Sequence, residues 1–143
     1  MNRWLLAVWL LGQGACGHNS FDPESHELRG GAWVRITVSA GPHRPGTVVP
    51  LSVQNAGGHE YIWNPCIRSL ERLEGTEWSS IGEGRVCTLE GWMLSPGKRT
   101  DASTDLPAAL TAGQYRFRYG FSREQGGFSV SDDQVSNAFT VNP

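Results

Sequence analysis

One alternating stretch, residues 110–121, constrains the fold more than any other part of this chain. After the turn residue Gly113, the aromatic side chains of Tyr115, Phe117 and Tyr119 alternate with Gln and Arg side chains. A repeat of two residues places successive side chains on opposite faces of a strand, one apolar and one charged. The stretch therefore predicts a central strand of a sheet, with its aromatic face turned into the protein core.

The rest of the composition favours the same class of structure. The 143 residues include 18 Gly and 8 Pro but only 2 Met, and Gly- and Pro-containing turns separate short runs of Val, Thr, Trp, Tyr and Phe. Such a pattern is typical of many short strands and argues against long helices, and the length allows one domain with one core. We therefore expect an all-β domain over residues 32–143, a sandwich of about seven to nine short antiparallel strands.

The charge balance argues against nucleic acid as a partner. The formal net charge is -2 at pH 7, and the sequence pI is about 6.1. Proteins that bind nucleic acid neutralise phosphates with clustered Lys and Arg side chains, and this sequence has no basic stripe of that kind.

The N-terminal segment carries the features of an export signal. Arg3 supplies a positive charge, an apolar run begins at Trp4, and small residues precede Cys16; the run is too short to span a bilayer. Residues 1–16 resemble the signal peptide and lipobox of bacterial lipoproteins, which implies that Cys16 is lipidated and begins the mature chain. Ordinary cleavage after Gly17 is one alternative, and a buried apolar N-terminal strand is another. The first route predicts a protein lipid-anchored at the cell envelope, on the outer membrane or cell surface, and the second a periplasmic or secreted one.

Residues 17–31 are predicted to be a flexible tether between the anchor and the folded domain. The segment is polar and mixed in charge, and Pro23 and a Gly pair interrupt it. A segment of that composition cannot bury enough apolar surface to fold by itself.

The number of cysteines supports export. Lipidation or removal of Cys16 leaves Cys66 and Cys87, which are expected to form a disulfide in an oxidising compartment. The closed loop of about 20 residues would stabilise the fold by roughly 3 kcal/mol. Two independent buried thiols are the alternative. A zinc site would need further ligands at suitable spacing, and we expect no metal.

Three local features refine the predicted strand layout. Pro50 cannot donate to a ladder, so its strand is expected at a sheet edge or with a bulge. An irregular turn is expected at residues 64–66, and Gly75 predicts a hairpin connection. Residues 85–89 fit one further strand.

Six short segments follow one another in an order that resembles known domains. They are Val53-Gln54-Asn55, Tyr61, Gly75 with Trp78, Leu94-Ser95-Pro96-Gly97, residues 110–117 and residues 137–141. The order resembles that of bacterial immunoglobulin-like domains of exported proteins, and the layout is also similar to proteinase-inhibitor domains of the same fold. The resemblance implies an immunoglobulin-like sandwich in which Tyr115 forms a tyrosine corner, with its hydroxyl bonded to upstream backbone. Antibody domains carry a disulfide where this chain has Val53 and Phe117, so no antibody-type binding loop is carried over.

No local motif predicts catalysis. The sequence has no Gly-x-Ser-x-Gly elbow and no phosphate-binding or dinucleotide-binding loop. His43 and His59 adjoin Gly-rich turns and are expected to be surface or turn residues. Asp132 and Asp133 are expected in a solvated loop, because a calcium site needs several oxygen ligands in a defined loop. We expect no enzyme activity, no cofactor and no metal.

Two sets of side chains are candidates for binding. The first contains the aromatic residues Trp33, Trp63, Trp78, Trp92, Tyr61, Tyr115 and Tyr119. They pack in the core or at the rim of a small sandwich, or they form a platform for sugar or peptide, and core or rim packing is the favoured interpretation. The second set contains Arg116 and Arg118, joined by Arg68, Arg72 or Arg99 in a binding stripe. Solvated strand charges are the favoured interpretation of this second set.

Together these patterns predict a non-catalytic interaction or structural module of the bacterial envelope, exported and lipid-anchored. Its partner would be an envelope protein or a glycan, with membrane contact through the anchor. A proteinase inhibitor is one alternative, with protruding loops at Arg44-Pro45 and at residues 123–127. A carbohydrate- or peptidoglycan-binding module is the other.

Overall fold

The protein is a sandwich of two antiparallel sheets, as the alternating segments predict. The computed structural model describes residues 34–39 and 41–142, and these residues form nine strands and no helix. The strands are β1 (Val34–Val38), β2 (Val48–Asn55), β3 (Tyr61–Glu74), β4 (Glu77–Ile81), β5 (Trp92–Leu94), β6 (Arg99–Asp105), β7 (Gly113–Gln125), β8 (Phe128–Val135) and β9 (Phe139–Val141). The predicted all-β class is confirmed.

The two sheets differ in size. The small sheet has the order β1-β2-β6, and the large sheet has the order β4-β3-β7-β8, with β5 paired to β3 and β9 paired to β7. A parallel bridge between Ile36 and Ser136 joins the sheets on the β1 side. On the opposite side the outer strands are β6 in the small sheet and β4 and β5 in the large one.

Aromatic side chains of the large sheet fill the space between the layers. Those of β3 and β7 alternate inward and are buried: Tyr61, Trp63, Tyr115, Phe117, Tyr119 and Phe121. They pack against Val49, Leu51 and Val53 of β2 in one core cluster. Rings of this size bury more apolar area than any aliphatic side chain, so a short chain fills its core with few of them.

Tyr115 connects β7 to the turn that precedes it. Its ring is buried and stacks on Phe139 with the centroids 6.3 Å apart. Its hydroxyl donates a hydrogen bond to the Thr111 carbonyl over 2.8 Å. A buried phenol therefore keeps a partner for its polar end while its ring packs inward.

The Tyr115→Phe variant removes that hydrogen bond and keeps the ring. We expect its free energy of unfolding to fall by about 1 kcal/mol, because the Thr111 carbonyl loses its donor. Urea denaturation measures the change. Thr111→Ala, which retains the carbonyl, is the matched control and should lose less; equal stability of Tyr115→Phe and the wild type would contradict the expectation.

Pro50 lies inside the small sheet and not at an edge, so the prediction from its missing N–H was wrong. Its strand, β2, runs between β1 and β6. Pro50 and Ser103 form a non-hydrogen-bonded pair between β2 and β6, so the Pro50 nitrogen faces β1 and not β6. At this position it lies beyond Val38, where β1 ends. Ser39 donates its N–H to the Pro50 carbonyl, and the Ser39 carbonyl accepts from His43 Nε2 over 3.1 Å. The histidine ring thus supplies the donor that proline lacks.

Two further strand boundaries differ from the sequence prediction. Residues 64–66 are not a turn: β3 continues through them as one strand of 14 residues, with a register shift between Trp63 and Arg68. Residues 85–89 are not a strand, although residues 82–87 alternate between exposed and partly buried as an extended chain does. The period of two is present, but no strand in the described part of the chain supplies the hydrogen bonds of a ladder.

Glycine turns close two hairpins, and the one predicted at Gly75 is confirmed. Glu74 pairs with Glu77 around Gly75, whose φ is 65°. β7 and β8 are joined at Gly126 and Gly127, whose φ angles are 61° and 82°. These angles lie in the region that glycine adopts without steric cost.

Candidate interaction surface

The open side of the sandwich carries a loop that a disulfide holds in place. We call residues 82–91 the disulfide loop, because Cys87 within it bonds to Cys66 of β3 with a Cα–Cα distance of 5.6 Å. The predicted pairing is therefore confirmed. Asn64 adds a second tie, since its Nδ2 donates to the Thr88 carbonyl over 2.7 Å. Cys16 lies outside the described residues, and its lipidation stays a prediction.

A fully buried arginine connects the disulfide loop to both sheets. The Arg68 side chain is 0% exposed, and its guanidinium lies 4.5 Å from the centre of the Phe117 ring. Its Nε donates to Thr104 Oγ1 over 2.6 Å, one terminal nitrogen donates to Glu83 Oε1, and the other donates to the Asp105 carbonyl over 2.6 Å. Burial lowers the pKa of Arg68, and the attraction of Glu83 opposes that shift. The favoured interpretation of Arg68 as a solvated strand charge was therefore wrong, and so was its alternative, an exposed binding stripe.

Arg85 provides the second electrostatic tie between the loop and β6. Its two terminal nitrogens each lie 3.3 Å from an oxygen of the Asp105 carboxylate. The same side chain lies 3.6 Å from Glu83 Oε2. The pKa of Asp105 is lowered, chiefly by a hydrogen bond from its own backbone and further by Arg85, while burial opposes the shift. We call Arg68, Glu83, Arg85 and Asp105 the ion network.

Tyr119 lies beneath the ion network. Its ring packs edge-on against Trp63 with the centroids 5.5 Å apart. Burial raises the pKa of Tyr119 to about 12, although Arg68 and Thr104 act in the opposite direction. The phenol is therefore neutral throughout the physiological range and cannot serve there as a base.

A cleft of about 530 Å³ lies between β6 and the disulfide loop. It is lined by Pro65, Cys66, Arg85, Trp92, Asp101, Ala102 and Ser103. One wall is therefore backbone and small side chains of β6, and the other carries the disulfide and an indole ring that is 39% exposed.

Exposed apolar side chains concentrate on the elements beside this cleft, and Trp92 among them also lines it. Seven large hydrophobic side chains are exposed within residues 34–39 and 41–142, and six of them lie on β3, β5 or the disulfide loop: Ile62, Ile67, Val86, Leu89, Trp92 and Met93. We call these six residues the apolar rim. Val86 and Leu89 are 97% and 96% exposed. Single exposed hydrophobic residues are ordinary, whereas a group on adjoining elements is typical of an interaction site.

The other predicted aromatic and cationic sites are used inside the domain. Tyr61, Trp63, Tyr115 and Tyr119 are core residues, as favoured from the sequence, and Trp33 lies outside the described residues.

On the outer face of the large sheet, Glu71 accepts from Arg116 Nε over 2.5 Å and from Arg118 Nε over 2.7 Å. Arg116 also lies over the Trp78 ring at 4.4 Å. The remaining two cations contact their own surroundings, Arg72 the Ala112 carbonyl and Arg99 the Asp101 carboxylate. The described part of the chain therefore holds these cations in local pairs and forms no continuous stripe.

The paired Glu71 makes stability depend on pH. Burial opposes ionisation of this carboxyl, but hydrogen bonds from Arg118 and Arg116 outweigh it, so the pKa of Glu71 is lowered from 4.5. A lowered carboxyl pKa contributes stability above the ordinary value, and that contribution is lost as the pH falls through the folded-state value. We expect the wild type to lose stability more steeply below pH 4.5 than the Glu71→Gln variant, as measured by urea denaturation at several pH values. Glu74→Gln is the control, and parallel pH profiles of wild type and Glu71→Gln would contradict this expectation.

Histidines and carboxylates do not converge on a catalytic or metal site within residues 34–39 and 41–142. His43 bonds to the Ser39 carbonyl and lies edge-on to Phe139, and His59 is exposed in a turn. Asp132 and Asp133 lie in β8 and not in a loop, so that prediction was wrong. The same described ranges contain no group of three or more His, Cys, Asp or Glu that could hold a metal ion.

The second of the two loops proposed for a proteinase inhibitor, residues 123–127, begins inside strand β7. Arg123 belongs to β7, its side chain is 9% exposed, and its Nε lies 3.6 Å from Asp132 Oδ2. A side chain buried in a strand cannot enter a protease pocket, so this candidate position was wrong. Arg44 is exposed in its turn, where its carbonyl accepts from the Thr47 hydroxyl over 2.7 Å.

The sequence does not predict the ion network or the cleft. Arg68, Glu83 and Asp105 lie far apart in the chain, and nothing around them marks a buried cation. The one local signal is the pair of glycines that flank Glu83, which predicts a turn and not an ion pair.

The described residues offer no helical span of the length and hydrophobicity that a bilayer crossing requires. No protein-family model and no curated protein matches this sequence.

Two solved structures show similarity at the level of the fold. The ASH / PapD-like domain of human CEP192 (PapD-like domain 7) is 13% identical, with a TM-score of 0.42, over 78% of this chain and 86% of that chain. The sporulation control protein Spo0M of Bacillus subtilis is 16% identical, with a TM-score of 0.41, over 80% of this chain and 50% of that chain, so this chain spans half of it. Similarity at this distance assigns neither a family nor a function.

Proposed function

We propose that this domain is a non-catalytic interaction module, exported and lipid-anchored at the bacterial envelope, that binds a protein partner at the apolar rim and the adjoining cleft. The concentration of exposed apolar side chains on one side of the sandwich carries the proposal. A soluble domain loses solubility by exposing such a group, and burial against a partner removes the apolar area from water.

The rigid attachment of the surface supports binding. The disulfide, Asn64 and the ion network hold the loop that presents Val86 and Leu89. A loop that is already ordered before binding loses less conformational entropy when a partner docks. A surface used only for solvation would not need this degree of attachment.

The chemistry of the cleft favours binding over catalysis. Of its two charged side chains, Arg85 is engaged by Asp105 and Glu83 and Asp101 is paired with Arg99, and the neighbouring Tyr119 is held neutral. A general base or nucleophile has to be free to exchange a proton or attack a substrate atom. The proposed activity is therefore recognition.

Site-specific photocrosslinking in the envelope of the producing bacterium tests the proposal. A photoreactive residue replaces Val86 in one variant and Val48 in the other; Val48 is 63% exposed but lies outside the apolar rim. We expect a protein adduct from position 86 that excess wild-type domain suppresses and excess Val86→Glu, Leu89→Glu domain does not. Identical adducts from both positions, or none from position 86, would remove the proposed function. Mass spectrometry of the mature N-terminus tests the anchor separately, and an unmodified start after Gly17 would remove it.

A further inference from the structure

β6 has one edge that no strand in the described part of the chain covers. Leu106 donates its N–H to the Thr47 carbonyl, and the Lys98 carbonyl accepts from Asn55. In an antiparallel pair the N–H and C=O of one residue point to the same side, so even-numbered residues of β6 bond to β2. Odd-numbered residues therefore turn their backbone polar groups toward the open side of the sandwich.

One end of that edge is blocked. The Asp105 carbonyl accepts from the buried Arg68 over 2.6 Å, and Arg85 lies 3.4 Å from the same oxygen. Elsewhere along the edge, no group among the described residues bonds to the outward backbone N–H and C=O of Arg99 or Asp101. Such an edge is a template for a further strand, and that strand has to leave the edge before it reaches Asp105.

Two side chains of opposite charge lie along the free part of the edge. Arg99 is 65% exposed and Asp101 is 78% exposed, and Arg99 Nε lies 3.4 Å from Asp101 Oδ1. Both lie on the outer face of the small sheet, because the alternate residues Thr100 and Ala102 are partly buried. Charged side chains on an edge discourage pairing with most other strands. Opposite charges two residues apart favour pairing between two copies in a register that sets each charge opposite its counterpart.

Two copies of β6 meet that condition when they pair antiparallel about a two-fold axis at Thr100. Arg99 of each copy then lies opposite Asp101 of the other, and the two Thr100 residues lie opposite each other. Cross-strand pairs of opposite charge and Thr–Thr pairs both stabilise a sheet. A centre at Asp101 or Arg99 sets like charges opposite each other, which destabilises the pair. A centre at Ala102 places Arg99 against Asp105, whose carbonyl is occupied.

We propose that this protein forms a two-fold symmetric dimer in which the β6 strands of two copies pair antiparallel about Thr100. Each pair of Arg99 with Asp101 exchanges both backbone hydrogen bonds, because both residues turn their polar groups outward. The two small sheets then form one continuous sheet of order β1-β2-β6-β6-β2-β1. The contact is short, which is typical of a weak and reversible dimer. This inference goes beyond the proposed function, which concerns the apolar rim and a different protein.

Sedimentation velocity of the full chain in detergent solution, over a range of protein concentrations, measures the dimer. Arg99→Asp sets carboxylates opposite each other at both pairs, and Asp101→Arg sets guanidinium groups opposite each other. We expect each variant to raise the dissociation constant of the dimer about tenfold, because two cross-strand attractions become repulsions. Arg35→Asp is the matched control, since it makes the same charge change at an exposed position of β1, and it should dimerise like the wild type.

Exchange of the two charges distinguishes this register from association elsewhere on the surface. The double variant, Arg99→Asp with Asp101→Arg, restores opposite charges at both pairs and should dimerise like the wild type. An equal mixture of the two single variants should form a mixed dimer, because one copy then presents two carboxylates and the other two guanidinium groups. A dimer that Arg99→Asp does not weaken would overturn the proposal. A wild type that stays monomeric would also overturn it and would leave the edge to a foreign strand.

Amide hydrogen exchange of the wild type tests the edge itself. The N–H groups of Thr100 and Ala102 already bond to β2, so their exchange should change little with protein concentration. The N–H groups of Arg99 and Asp101 should exchange more slowly as the concentration rises, and equal rates at all concentrations would overturn the proposal. If the protein is a monomer but position 86 still yields its envelope adduct, only this inference falls. A dimer without that adduct keeps this inference and removes the proposed function.

Discussion

Replacing Arg68 with Met is expected to lower the free energy of unfolding by about 3–5 kcal/mol, because it removes one partner of a buried ion pair and leaves the other uncompensated. The Glu83 side chain is only 7% exposed and would lose its cation. The Asp105 carbonyl and the Thr104 hydroxyl would lose their donors at the same time. Urea denaturation followed by tryptophan fluorescence measures the loss.

Two variants separate this effect from a general loss of positive charge. Arg99→Met removes a cation whose side chain is 65% exposed and that lies 3.4 Å from Asp101, and it should cost less than about 1 kcal/mol. Arg68→Met combined with Glu83→Leu removes both buried charges and should be more stable than Arg68→Met alone. If Arg68→Met were as stable as the wild type, the buried position of this guanidinium would be wrong.

Removing the disulfide is expected to lower the free energy of unfolding by about 3 kcal/mol, because the unfolded chain regains the entropy of an open loop. The two cysteines are 21 residues apart, and the test variant carries Cys66→Ser and Cys87→Ser together. Amide hydrogen exchange should accelerate across residues 82–91. Wild-type protein in dithiothreitol should match the variant, while dithiothreitol should not change the variant. Equal stability of oxidised and reduced wild type would contradict the expectation.

The losses of unfolding free energy caused by Arg68→Met and by removal of the disulfide should not be additive. Arg68 and the disulfide both hold the disulfide loop, one through Glu83 and the other through Cys87. Once the loop detaches, Glu83 leaves its site and the ion pair is already lost. We therefore expect the combined variant to lose less stability than the sum of the separate losses, as groups that share one structural element do.

Reading the strands from the sequence succeeded where the signal is local. The alternation around Tyr115, Phe117 and Tyr119 predicts one buried face, and all three rings are buried. Gly75 predicts a hairpin that the structure contains. Each of these signals concerns neighbouring residues, so it holds in any fold that includes the segment.

Local signals failed where a partner strand decides the outcome. Residues 82–87 show the alternating burial of a strand, yet they have no ladder. Pro50 suggests an edge, yet β2 is central because the missing donor falls beyond the end of β1 and a histidine replaces it. Hydrogen bonding between strands depends on which strands become neighbours, and the repeat of side chains along one strand does not contain that information.

By itself the sequence determined the all-β class, the inward faces of the main strands and the cysteine pair, since these follow from the two-residue period, turn chemistry and the count of thiols. Only the tertiary structure decided that Arg68 is buried, that Glu83 and Asp105 converge on it, and that a cleft lies between β6 and the disulfide loop. The physical reason is distance along the chain: charges and backbone groups that are 15 to 37 residues apart meet only when the chain has folded.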